Sequence, residues 1–189
     1  KNLDGRGCHA VERRHLREEA FMELTCENVV KWFDCYFEDV RTNQGNLETV
    51  PKLGKYFASD FEFRMYTGPS PSPGKPMSRD ELLISFVHPG LHEEIIPQYY
   101  AVGLEQMIVA VQFEIRFSDE PSGKKWPPLQ ASAHYHLLID QNKEMKIRRI
   151  HYWTEALPGE IFEYWARRRE EALTKHAMNY ISACEAEVH

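Results

Sequence analysis

The run from Met107 to Phe117, MIVAVQFEIRF, admits few structures. Its odd-numbered residues Met107, Val109, Val111, Phe113, Ile115 and Phe117 are all apolar, while Ala110, Gln112, Glu114 and Arg116 hold the other parity. A period of two marks a β-strand whose faces meet different surroundings. The split recurs in ASAHYHLLID, where Ala133, Tyr135, Leu137 and Ile139 oppose Ser132, His134, His136 and Leu138. One face of the resulting sheet is oily and the other ionisable, and both faces cannot be solvent.

The rest of the chain supplies helices for such a sheet. Residues 11–40 lack Gly and Pro and carry Leu16, Phe21, Leu24, Val29, Trp32, Phe33, Tyr36 and Phe37 at helical spacing, which predicts a long helix with a break near Thr25. Trp32, Phe33 and Phe37 read as core, and Tyr36 has a polar tip that could reach a ligand. A short helix after Pro51, a strand at 60–67 and a surface loop in GPSPSPGKP follow. Ser78 with Glu81 is a capping box opening a short helix that Pro89-Gly90 ends. Strand-like segments at 93–102, 104–117, 129–140 and 144–156 predict an antiparallel sheet, and a helix begins near Pro158. The plan is α+β, with helices laid across one curved antiparallel sheet.

Composition narrows the function classes. A formal charge of −6 in 189 residues lacks the basic excess of a phosphate-backbone binder, so no nucleic-acid partner is expected. Cys8, Cys26, Cys35 and Cys184 form no C-x-x-C pair, as suits a reduced, cytoplasmic chain. No apolar run reaches the roughly 18 residues of a membrane span, and KNLDGRGCHA has no hydrophobic signal segment. No membrane partner is expected. The chain does not begin with Met and is read as starting within a longer one.

SAHYHLLIDQNKEMKIRRIHYWTEA resembles the terminal hairpin of the nuclear-transport-factor-two-like proteins, in particular their SnoaL-like polyketide cyclase branch. YFASDFEFRMYTG is similar to that family's first strand, and MSRDELLISF takes the place of its middle helix. The resemblance implies a cone of sheet closed by helices over residues 11–157, preceded by an irregular segment at 1–10 and followed by a helical extension at 158–189. It also implies that the ionisable face looks into the cone and that the oily face is convex and pairs two subunits, giving a homodimer. SnoaL-like cyclases carry an acidic residue where this chain has His134, so only the location of the pocket transfers.

On that placement His134, His136 and Glu114 form the polar floor of a pocket, with His151 near its rim. Tyr36, Tyr66, His88 and His92 line its mouth, and Gln112, Arg116 and Trp153 complete the substrate-binding set. A neutral imidazole can exchange protons near pH 7, and a carboxylate beside it can fix its tautomer. His134 is then the acid or base, Glu114 its orienting partner, and His136 and His151 polarise the substrate. The expected function is a cofactor-independent isomerase, dehydratase or cyclase acting on a small hydrophobic or polyketide-like molecule. The alternative is a non-catalytic ligand-binding or dimerisation module whose polar face holds cross-strand pairs. His88 also reads as a helix C-terminal residue favoured by the helix dipole. The His-x-His spacing would suit a metal with His88, His92 or Glu114 added, but no third ligand is set by spacing, and neither metal nor cofactor is expected.

Overall fold

The computed structural model describes residues 24–67, 74–155 and 159–186. The expected irregular start, the helix before residue 24 and most of the GPSPSPGKP loop lie outside them. Helix α1 (Cys26–Asn43) starts where the break was expected, because the Thr25 hydroxyl accepts from the Asn28 amide at 3.2 Å and caps the first turn. Val29, Phe33, Tyr36, Phe37 and Val40, spaced three and four apart, form its buried stripe. A 3-10 turn (Val50–Tyr56), with Pro51 in its first turn, leads into β1 (Phe57–Thr67). After β2 (Met77–Ser78), both halves of the Ser78–Glu81 capping box form and open α2 (Arg79–Ser85).

Then follow β3 (Leu91–Gly103), β4 (Ile108–Asp119), β5 (Lys124–Lys125), β6 (Leu129–Ile139), β7 (Met145–Thr154) and the long α3 (Gly159–Ala186). The seven-stranded sheet runs β2-β1-β7-β6-β4-β3, with β5 on β4. Strands β3, β4, β6 and β7 pair antiparallel as expected, whereas β1 joins β7 in parallel and makes the sheet mixed. The intervening strands supply the long connection that a parallel pair requires. No described helix is long and apolar enough to cross a membrane.

The two sheet faces are assigned opposite to the expectation. Val109, Val111, Phe113, Ile115 and Phe117 are buried in the concave core with Ala133, Tyr135 and Leu137. Rings of α1 pack directly on them: Phe33 meets Tyr135 edge-on with centroids 4.9 Å apart, and Phe37 lies 6.1 Å from Phe113. The ionisable parity therefore faces outward, and the apolar face cannot pair subunits because the chain's own helix covers it. Apolar helix stripes find their complement only on the apolar side of the sheet.

Edge strand β3 holds its parity through a bulge. Pro97 stands opposite Phe113 and Tyr99 opposite Gln112, leaving Gln98 as the extra residue. Tyr99 thus points outward while Tyr100 packs against Phe33 and donates to Asp34 Oδ1 at 2.8 Å. Across the cone's open end lies α3, whose Trp165 indole donates to the Ser85 carbonyl at 2.6 Å and whose Arg168 pairs with Asp119 at 3.3 Å. The terminal helix covers its own cone.

Adjacent residues on β4 test the face assignment. Phe113, only 1% exposed, should lose about 3–5 kcal/mol of stability as Phe113→Ala. Outward-facing Gln112→Ala should stay within about 0.5 kcal/mol, both read by urea unfolding.

Candidate active site

The HPG segment builds the site. His88, Pro89, Gly90 and Leu91 form a turn closed by the Leu91 amide on the His88 carbonyl at 3.1 Å. Pro89 stands second and Gly90 third, with φ of +79°, the pattern of a type II turn in which a side chain at the third position would be strained. The turn folds the His88 imidazole back over the start of β3, where Nδ1 lies 2.8 Å from the Leu91 carbonyl. A carbonyl only accepts, so Nδ1 carries the proton, and Nε2 of the neutral ring has a free lone pair.

That lone pair faces Glu93. Leu91, Glu93 and Ile95 share the inward parity of β3, so the strand carries a carboxylate into the apolar cone. Glu93 is 6% exposed and His88 1%, with Glu93 Oε2 3.9 Å from His88 Nε2. This exceeds a direct hydrogen bond. Among the described residues neither atom has a hydrogen-bond partner, and a buried polar atom left unpaired in a native fold calls for an explanation. Burial raises the Glu93 pKa from 4.5 to about 7, and burial lowers that of His88. Near neutrality the imidazole is uncharged and the carboxyl is poised between its two forms.

Glu93 opens into a cavity of about 330 Å³ between the concave sheet, α1, α2 and α3. The walls are mostly apolar, with Phe63, Met65, Phe113, Phe117 and Ile150 among them. The phenols of Tyr36, Tyr135 and Tyr152 are all kept neutral, with pKa values raised first by burial. Glu93 contributes further to the shifts at Tyr36 and Tyr152, which sets both near it.

Of the residues singled out in the sequence, Tyr36 lines this cavity and His88 stands behind its acid. His134, His136, His151, Glu114, Gln112, Arg116, Tyr66 and Trp153 share the outward face. Glu114 does not meet His134: it stands opposite Gln130 while His134 stands opposite Ala110, and Arg116 Nε donates to its carboxylate at 2.6 Å. The histidines instead form a ring cluster. His134 packs 4.7 Å from Trp153, His136 5.3 Å from His151, and the Tyr66 hydroxyl lies 3.4 Å from His151 Nδ1. Burial lowers the pKa of both His136 and His151. This face carries a shallow groove of about 490 Å³ lined by Tyr66, Tyr99, Gln112, His134 and Trp153. His92 lies apart, opposite Ser118 beside a polar depression with Arg41 and Glu120. Among the described residues, no three His, Cys, Asp or Glu side chains converge as a metal site needs. Glu93 and Glu94 open the run EEIIPQYYAV on opposite parities, so the sequence alone does not say which carboxylate turns inward.

No family model and no curated protein matches this chain. Among solved structures it is similar to ActVI-ORFA from Streptomyces coelicolor, at 11% identity and a TM-score of 0.50, over 67% of this chain and 94% of that one. The fold is the nuclear-transport-factor-two-like cone. Nuclear transport factor 2 from Cryptosporidium parvum also aligns, at 15% identity and a TM-score of 0.46, over 66% of this chain and 90% of that one. At such identities the likeness is one of fold alone, and any role of this nuclear-transport-factor-two-like cone has to come from its own cavity.

The buried acid has a pH signature. The folded protein holds the Glu93 proton more tightly than the unfolded chain, so unfolding releases it between about pH 4.5 and 7. Wild-type stability relative to Glu93→Gln should fall by about 3 kcal/mol as pH rises across that window, followed by urea unfolding at stepped pH. A flat difference would mean that the carboxyl is solvated.

Proposed function

We propose that this chain is a SnoaL-like, cofactor-independent isomerase, dehydratase or cyclase that binds a small apolar carbonyl compound inside the cone, with Glu93 as the proton-transferring group. The supporting observation is a carboxyl, enclosed by apolar walls, lacking a partner at Oε2 among the described residues and poised near pH 7. A carboxylate in such a site can take a proton from carbon next to a carbonyl, leaving an enolate, and return it at another position. Tyr36 and Tyr152 stay protonated and can donate to the enolate oxygen. His88, neutral and anchored through Nδ1, can accept the proton that Glu93 acquires. The proton-transfer role thus moves from His134 to the acid that the fold encloses.

A second reading is a non-catalytic binding or assembly module, favoured by the outward face, where Tyr99 is 71% exposed in one groove with His134 and Trp153. Our proposal includes a cytoplasmic homodimer meeting through that face, since the apolar face is covered within one chain.

Deuterium uptake at the carbon next to the carbonyl of 1-tetralone, followed by NMR in heavy water, separates the readings. Wild type should accelerate uptake, more so as pH rises through 7 and the carboxyl ionises. Glu93→Gln should slow it about 10²–10⁴-fold, and His134→Ala should leave it within about twofold. Equal rates in wild type and Glu93→Gln would remove the acid from the mechanism, and no acceleration by wild type would leave the module.

A further inference from the structure

The cavity holds a second ionisable group besides its acid. Arg169 of α3 lines the cone one helical turn after Trp165 and is the only cation of that lining among the described residues. Its neighbours in sequence are engaged. Arg167 lies over the Tyr164 ring at 4.5 Å and reaches Glu171 at 4.0 Å, while Arg168 pairs with Asp119 at 3.3 Å and Glu171 at 3.8 Å. Half-buried Arg169 makes no ion pair or hydrogen bond among the described residues. Nor does its charge reach Glu93, whose proton affinity is set by burial alone, although a guanidinium close by would stabilise the carboxylate. The cavity is therefore bipolar, with a proton-transfer end on β3, a cationic end on α3 and apolar walls between.

Resting on the cavity reading above, we infer that the substrate is an apolar carboxylate, its hydrophobic body held by the cone walls and its anionic group bound by Arg169. A guanidinium presents a planar fork of donors that matches a carboxylate bidentately, and it gains most where water is partly excluded. One cation, with no second base in the lining among the described residues, matches a monoanion better than a phosphate dianion. At about 330 Å³ the space suits a two-ring body at the small end of ligand pockets.

The test compares 2-naphthoate with 2-acetylnaphthalene, a neutral ketone on the same rings, by isothermal titration calorimetry on the full chain. Wild type should bind the carboxylate about tenfold or more tighter. Arg169→Met keeps an unbranched stem and good helix propensity, so it should bind the ketone unchanged and retain less than about a twofold preference for the carboxylate. Arg169→Lys should recover part of the preference, and Arg167→Met, whose arginine points away from the cavity, should retain all of it. Equal affinities in wild type, or an undiminished preference in Arg169→Met, would overturn the anion site while leaving the cavity reading intact. If wild type binds neither probe, the cavity reading falls and the anion site falls with it.

Discussion

The packing of α1 against the apolar parity of β4 and β6 governs the rest of the molecule. Phe33 on Tyr135 and Phe37 on Phe113 are the contacts through which the helix chooses its side of the sheet. Each buried aromatic of this kind contributes about 1.5–3 kcal/mol by removal from water, and no comparable gain exists on the side bearing Gln112, Arg116 and His134. Once that choice is made, the sheet curves around the helix and every residue's parity decides whether it lies inside or outside.

The same contact makes Glu93 unusual. It shares the inward parity with Leu91 and Ile95, so the strand that completes the apolar wall also brings in a carboxyl. A charged carboxylate there would lose its hydration with no compensating partner, and the protein accommodates the group by raising its pKa. The neighbouring imidazole is buried, neutral and tethered through Nδ1, so it offers a lone pair instead of a positive charge. Arrangements that give up stability to keep a reactive group poised are characteristic of functional sites.

Helix α3 completes the enclosure. Trp165 anchors it to the end of α2 through the Ser85 carbonyl and stands edge-on to His88 at 5.6 Å, so one residue closes the cone and packs against the acid's partner. The outward face, in contrast, owes its order to cross-strand neighbours. His134 stands opposite His151, and Tyr66 stacks on Trp153 with centroids 5.0 Å apart. Those contacts organise a surface on which His151 Nε2 is buried without a hydrogen-bond partner among the described residues.

The sequence by itself determined the local grammar: the Thr25 cap, the Ser78–Glu81 box, the Pro89-Gly90 turn, and the parity of β4 and β6. These are encoded within a few residues by capping, backbone restriction and the two-residue period, so they are legible without a fold. Resemblance added the cone. Tertiary structure alone decided that β1 pairs in parallel with β7, that the apolar parity is concave, and that Glu93 faces His88. Each depends on groups distant in sequence. Parity says only that two faces differ, and it takes the apolar stripe of α1 to say which is inside. The carboxylate was visible at position 93, but its burial was not, because turn, helix and sheet enclose it together.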